Sequence, residues 1–178
     1  MQSGLIRDAV LLSSLLLAAT LLWGCEEPTA TPGQPQARTV GERFSVQGFQ
    51  HIPEGQTFAG YNSVPPTSGP HWGAPAPWGI APIPIPNERQ VHNLEHGGVL
   101  IQYNTQDSAL IKQLEDYVKN QRASPCWLLL APYPTMTHTI ALTGWGVMDT
   151  MDAYDESRLQ AFADAYRDRG PEKVPCTS

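Results

Sequence analysis

Eight of the seventeen prolines in this 178-residue chain fall between Pro65 and Pro86, and that clustering limits the fold more than any other feature. Proline has no N–H to donate and locks φ at roughly −65°, so the stretch is neither helix interior nor central strand. Extended, polyproline-like coil is what remains. The same stretch holds Trp72 and Trp78 together with Ile80, Ile83 and Ile85, whereas unstructured linkers rarely carry tryptophan. The expectation is an ordered coil laid over a core, with both tryptophans sealing the core edge and His71 held rigidly.

Directly after the coil comes Val91-His92-Asn93-Leu94-Glu95-His96-Gly97-Gly98-Val99. On a helix, positions i and i+4 share a face with i+3 beside them. On a strand His92 and His96 would lie roughly 13 Å apart, too far for one metal ion. Chelation by this pair therefore needs a helical turn. Gly97-Gly98 fits the end of one, since glycine takes the left-handed conformation that stops a helix. Val99-Leu100-Ile101 then begins a strand. The order His-x-x-Glu-His is also that of inverted zincins, in which the histidines bind zinc and the glutamate activates water. Those proteins carry it on a long helix in a much larger fold. The plain alternative is that both rings cap a turn and bond the backbone.

The N-terminal region reads as an export signal. Ala9 to Leu22 is nearly continuous apolar sequence, shorter than the roughly twenty residues of a membrane span. It runs into Leu21-Leu22-Trp23-Gly24-Cys25, which resembles a bacterial lipobox ending in a lipidated cysteine. Residues 26–39 are rich in Pro, Thr, Gln and Ala without apolar periodicity, as in a tether. The expected organisation is a signal peptide over residues 1–24, a tether over 25–39 and one globular domain over 40–178. The domain would lie outside the cytoplasm, anchored to the bacterial cell membrane through Cys25. Its core-forming part, about 135 residues, suffices for one core. With 11 Lys and Arg against 17 Asp and Glu, a net charge of −6, the chain is a poor nucleic-acid binder. Once Cys25 is lipidated, Cys126 and Cys176 are the remaining thiols. Outside the cytoplasm such a pair is most often a disulfide, stabilising by about 3–4 kcal/mol through loop entropy. A pair of soft metal ligands is the rival reading.

Periodicity supplies the rest. Residues 44–58 suggest one or two short edge strands. Asp107-Ser108 caps a helix whose Leu110, Ile111, Leu114, Tyr117 and Val118 recur at helical spacing. Cys126 to Ala131 and Thr137 to Trp145 read as strands. Asp155-Glu156 opens a second helix, with Leu159, Phe162, Ala163 and Tyr166, running to Gly170-Pro171. The fold class is α+β, with α/β as the alternative: a small mixed sheet, two helices from the C-terminal half packed on it, and the Pro-rich ordered coil before them.

Pro65-Pro66-Thr67-Ser68-Gly69-Pro70-His71-Trp72, the segment from Val91 to Val99 and the later Ala141-Leu142-Thr143-Gly144-Trp145-Gly146 resemble the bacterial domain-of-unknown-function family 3105. The likeness spans roughly His51 to Pro171 and implies an exported or membrane-tethered protein. It implies no particular reaction. His51, His71, His92, Glu95 and His96 lie on its characteristic motifs, and His138 does not.

Neutral imidazole is the commonest ligand for zinc and copper. His71, His92 and His96, together with His51, are the candidate ligands of a copper or zinc ion, with Glu95 behind an imidazole to fix its tautomer. Copper comes first because histidine sites without carboxylate ligands suit it. No Asp/Glu-rich cluster points to calcium. Met136, Met148 and Met151 are soft donors that core packing explains better. Two rivals stand beside this reading. One is a zinc-dependent hydrolase with Glu95 as general base on bound water. The other is a metal-free module whose Pro/Trp coil grips a peptide or glycan.

Overall fold

The computed structural model describes residues 40–121 and 126–175. The expected signal peptide and tether, together with Cys25 and Cys176, lie outside the described residues. Among the described residues no helix is long and apolar enough to cross a membrane.

The fold is α+β. Its sheet is built on a strand pair, β5 (Val99–Tyr103) and β6 (Leu128–Pro132), that runs parallel. A parallel pair needs a crossover connection, and helix α2 (Ser108–Asn120) supplies it. The Asp107 carboxylate caps α2, accepting from the backbone N–H groups of Ala109 at 2.9 Å and Leu110 at 3.3 Å. β7 (Ile140–Gly144) lies antiparallel on the other side of β5. Next to it is β8 (Val147–Met151), a strand that periodicity does not reveal, because three of its five positions are only half buried and Asp149 sits in its middle. Two residues, Trp145 and Gly146, join β7 to β8, and Gly146 takes φ +67° to close the turn. The short strands β1 (Glu42–Arg43) and β4 (Gly79–Ile80) complete a six-stranded sheet in the order β1-β8-β7-β5-β6-β4.

Strand alternation divides the core between the two faces of the sheet. Val99, Ile101, Leu128, Leu130, Ile140 and Leu142 face α2 and the last helix, α3 (Glu156–Tyr166), which contributes Leu159, Phe162 and Ala163. Asp155 caps α3 through the N–H of Arg158 at 3.0 Å. The helix stops at Tyr166, short of the expected Gly170, because the chain turns there to cross the end of another helix. Leu100 and Leu129 point to the opposite face. There they meet Leu94 of helix α1 (Asn87–Glu95) and Ala76, Trp78 and Ile85 of the Pro-rich coil.

That coil is ordered, as its tryptophans suggest. It contributes β4 at the sheet edge and β3 (His71–Trp72), which pairs in parallel with β2 (His51–Ile52). Apolar burial is only part of what holds it. Helix α1 is largely polar, yet Glu88, Gln90, His92, Asn93 and Glu95 are all buried. Buried polar groups need partners, and the coil provides them. The Asn93 amide donates to the Ala76 carbonyl at 2.9 Å and accepts from the Ala76 N–H at 2.8 Å. Gln90 donates to the Ile85 carbonyl at 2.7 Å, and Glu88 accepts from the Phe58 N–H at 2.8 Å. Met136 and Met151 are buried with the apolar core and Met148 packs beside Met136.

Candidate metal centre

Helix α1 starts where the prolines end. The Pro86 carbonyl accepts from Arg89 at 3.0 Å and Gln90 at 3.1 Å, while the missing Pro86 N–H is lost where no helical partner exists. The helix ends in a paired-bond cap: Gly98 N–H donates to Asn93 O at 2.8 Å and Gly97 N–H to Leu94 O at 2.9 Å. Gly97 takes φ +90°, the left-handed conformation this cap requires. His92 and His96 therefore sit in the last turn, four residues apart on one face, with Nε2 atoms 2.9 Å apart.

The Pro-rich coil brings a third histidine to this turn, and β2 brings a fourth. In the parallel register His51 stands opposite His71. The His71 Nδ1–H donates to the Gly69 carbonyl at 2.8 Å, and its Nε2 lies 2.9 Å from Oε2 of Glu95. The His92 Nδ1–H donates to the Trp72 carbonyl at 2.6 Å. A carbonyl oxygen can only accept, so both Nδ1 atoms carry hydrogen and each neutral ring keeps its one lone pair on Nε2. This is how backbone partners orient metal-ligating imidazoles. The same Glu95 oxygen is 3.5 Å from Nε2 of His51.

One donor atom from each of His51, His71, His92 and Glu95 falls within 4.8 Å of the other three. Such a group could hold a metal ion. The side chain of His71 is fully buried, that of Glu95 is 6 % exposed, and that of His51 is 53 % exposed. His51 is thus the solvent-facing member of a buried set. Trp145 stands edge-on to His71 with ring centroids 6.4 Å apart, and Phe49 stacks on Trp145 at 5.3 Å.

Two placements differ from the sequence expectation. Glu95, expected behind an imidazole, lines up its oxygen with the ring nitrogens themselves. His96 does not join His51 and His71. Together with His92 and Glu172 it forms a second group of possible ligands. A single carboxylate in a charged C-terminal tail carries no local signal, so Glu172 is not legible in the sequence. His138 is exposed and belongs to neither group.

Burial pushes the His92 pKa below its ordinary 6.5, because the charged ring loses hydration; the Trp72 carbonyl opposes this, His96 and His71 add to it, and Glu95 opposes it. With the folded value lowered, the unfolded chain binds more protons below pH 6.5, so this group withdraws stability as pH falls through that value. In metal-free protein the His92 ring resonances should titrate with a midpoint below 6.5. A midpoint at or above 6.5 by NMR would show that burial does not dominate.

The sequence profile of the family described as Protein of unknown function (DUF3105) matches residues 51–178, and the chain belongs to that family. No curated protein and no solved structure matches it.

Proposed function

We propose that this member of the family is an extracytoplasmic, membrane-tethered protein that holds copper(II) or zinc between His51, His71, His92 and Glu95. One observation supports this above the rest. Two buried histidines have Nδ1 fixed by backbone carbonyls, and a donor atom of each lies within 4.8 Å of a Glu95 oxygen and of a His51 nitrogen. A ring that only capped a turn would not need its free nitrogen aimed at two other imidazoles. The donor set is nitrogen and oxygen without sulfur, which suits zinc or copper(II) rather than copper(I). With Glu95 among the donors, the reason for preferring copper falls away and the two metals stand level. A bound cation would draw the four side chains together through charge neutralisation of Glu95. His51 would be the ligand through which the ion meets solvent.

The tether over residues 25–39, the lipid on Cys25 and a disulfide between Cys126 and Cys176 belong to the same proposal. They place the site in an oxidising compartment, where copper and zinc reach an exported domain without competition from a reducing thiol pool. Trp72 and Trp78 offer less to a peptide or glycan than their number suggests. Trp72 donates to the Gln56 carbonyl at 2.8 Å and lies under Arg89, and Trp78 packs against Trp127 and Gly98.

The test is metal content. Full-length protein without a histidine tag, exposed to zinc or copper(II) and dialysed, should retain about one ion per chain by mass spectrometry. His71→Ala/His92→Ala should retain none. Wild-type protein that keeps no metal would overturn the proposal.

A further inference from the structure

His92 is shared. Its Nδ1–H is committed to the Trp72 carbonyl, so Nε2 is the one atom it can offer a cation. His92 belongs both to the group with His51, His71 and Glu95 and to the group with His96 and Glu172. Its Nε2 lies 2.9 Å from Nε2 of His96, which is 3.3 Å from Oε2 of Glu172.

The second group is built. Glu172 comes from the segment after α3, which crosses the end of α1. Its N–H donates to the Glu95 carbonyl at 3.1 Å, and the Asp168 N–H donates to the Gly97 carbonyl at 2.8 Å. Between them Gly170 comes so near α1 that a Cβ there would sit 2.1 Å from the Glu95 oxygen and 2.2 Å from the Gly97 nitrogen. No other residue allows that approach. The close contact delivers the Glu172 carboxylate to His96. The Glu172 side chain is 51 % exposed, that of His96 14 %.

We infer that His96 and Glu172 form an exchange site for the same copper(II) or zinc ion, alternating with the buried set for possession of His92. This rests on the metal-binding reading above. An imidazole lone pair binds one ion, so the two sets cannot both be complete. An ion held by His92, His71, Glu95 and His51 leaves by substitution around His92. Coordinate bonds to His96 and Glu172 form as those to His71, Glu95 and His51 break, and loading is the reverse. The ion keeps its charge and no electron moves. Of the resident donors His71 is fully buried and His51 half-exposed, and Glu172 gives the ion a second half-exposed donor, one step from the shared His92 ring. A chain that hands metal to or from another carrier gains from such a step, because one donor replaces another before the ion has left the protein.

The experiment loads full-length protein with zinc and adds an excess of a chromogenic chelator under stopped flow. His96→Ala/Glu172→Ala alters the half-exposed end of the path and removes no donor of the buried set; circular dichroism checks its fold. The inference expects release and uptake at least about tenfold slower than wild type, with the dissociation constant within about threefold, since both rates fall together. Unchanged rates in a variant that still binds zinc would overturn the exchange site and leave the buried site standing. Loss of binding in this variant would overturn it differently, by placing His96 and Glu172 in the resident site. Absence of binding in wild type would remove the underlying reading and the exchange site with it.

Discussion

Zinc or copper(II) at roughly a thousandfold above its dissociation constant is expected to stabilise the full-length chain by about 4 kcal/mol, because ligand bound to the folded state alone adds RT ln(1 + [L]/Kd). For a domain of this size that is a rise of roughly 10–15 °C in Tm. His71→Ala is expected to do two separable things. It removes a ligand, so the shift on adding metal should shrink below about 1 kcal/mol. It also strips the buried Glu95 oxygen of the ring nitrogen 2.9 Å away and the Gly69 carbonyl of its donor. In metal-free protein a proton between His71 Nε2 and Glu95 Oε2 joins the two groups, so losing the ring leaves the buried carboxyl without its main partner, at a cost of about 3 kcal/mol or more. Urea denaturation with EDTA and with saturating zinc separates the two effects. If wild type gains nothing from either metal while His71→Ala is still destabilised, the histidines are a structural hydrogen-bond cluster and the metal reading fails.

The parts of this site that the sequence discloses are those whose cause is local. His92 and His96 had to lie on a helical turn to come together at all, and the glycine pair after them is the standard means of ending one. The proline run excludes helix whatever lies around it. Asp107 and Asp155 cap helices through bonds two or three residues away. What the sequence conceals depends on contacts between distant segments. His51 meets His71 through a two-residue parallel pairing that has no periodicity to display. Glu95 stands among the donors only because the coil turns His71 toward it. Glu172 reaches His96 only because Gly170 and Gly97 let two backbones touch. Asn93, which clamps the coil at Ala76, reads as an ordinary polar helix residue until its partner is known. β8 is hidden for another reason: it lies toward the sheet edge with half-buried polar positions, so its apolar signal is diluted.

Because the core is divided by strand parity, stability and metal affinity should respond to different residues. Phe162 is fully buried on the face away from the histidines, against Tyr166 with ring centroids 4.7 Å apart. It also packs near Gly41, where a Cβ would come within 3.1 Å of its ring and so bring β1 closer than any larger residue permits. Phe162→Ala should cost about 3–5 kcal/mol through lost burial and the cavity left behind. That is a large share of the roughly 5–15 kcal/mol that holds a domain folded, and Tm should fall by roughly 10–20 °C. The folded fraction at low temperature should nonetheless bind zinc as wild type does, since none of the ligand-bearing elements β2, β3 and α1 rests on this residue. Leu100 offers the opposite case. It is one step along β5 from Ile101 but faces α1, sharing a cluster with Leu94. Leu100→Ala should cost a comparable 2–5 kcal/mol or so, and by loosening the seat of the helix that carries His92 and Glu95 it should weaken zinc binding as well. Equal affinity losses in the two variants, measured at a temperature where both are folded, would mean that the two faces of the sheet are not mechanically separate and that the site takes its rigidity from the whole core.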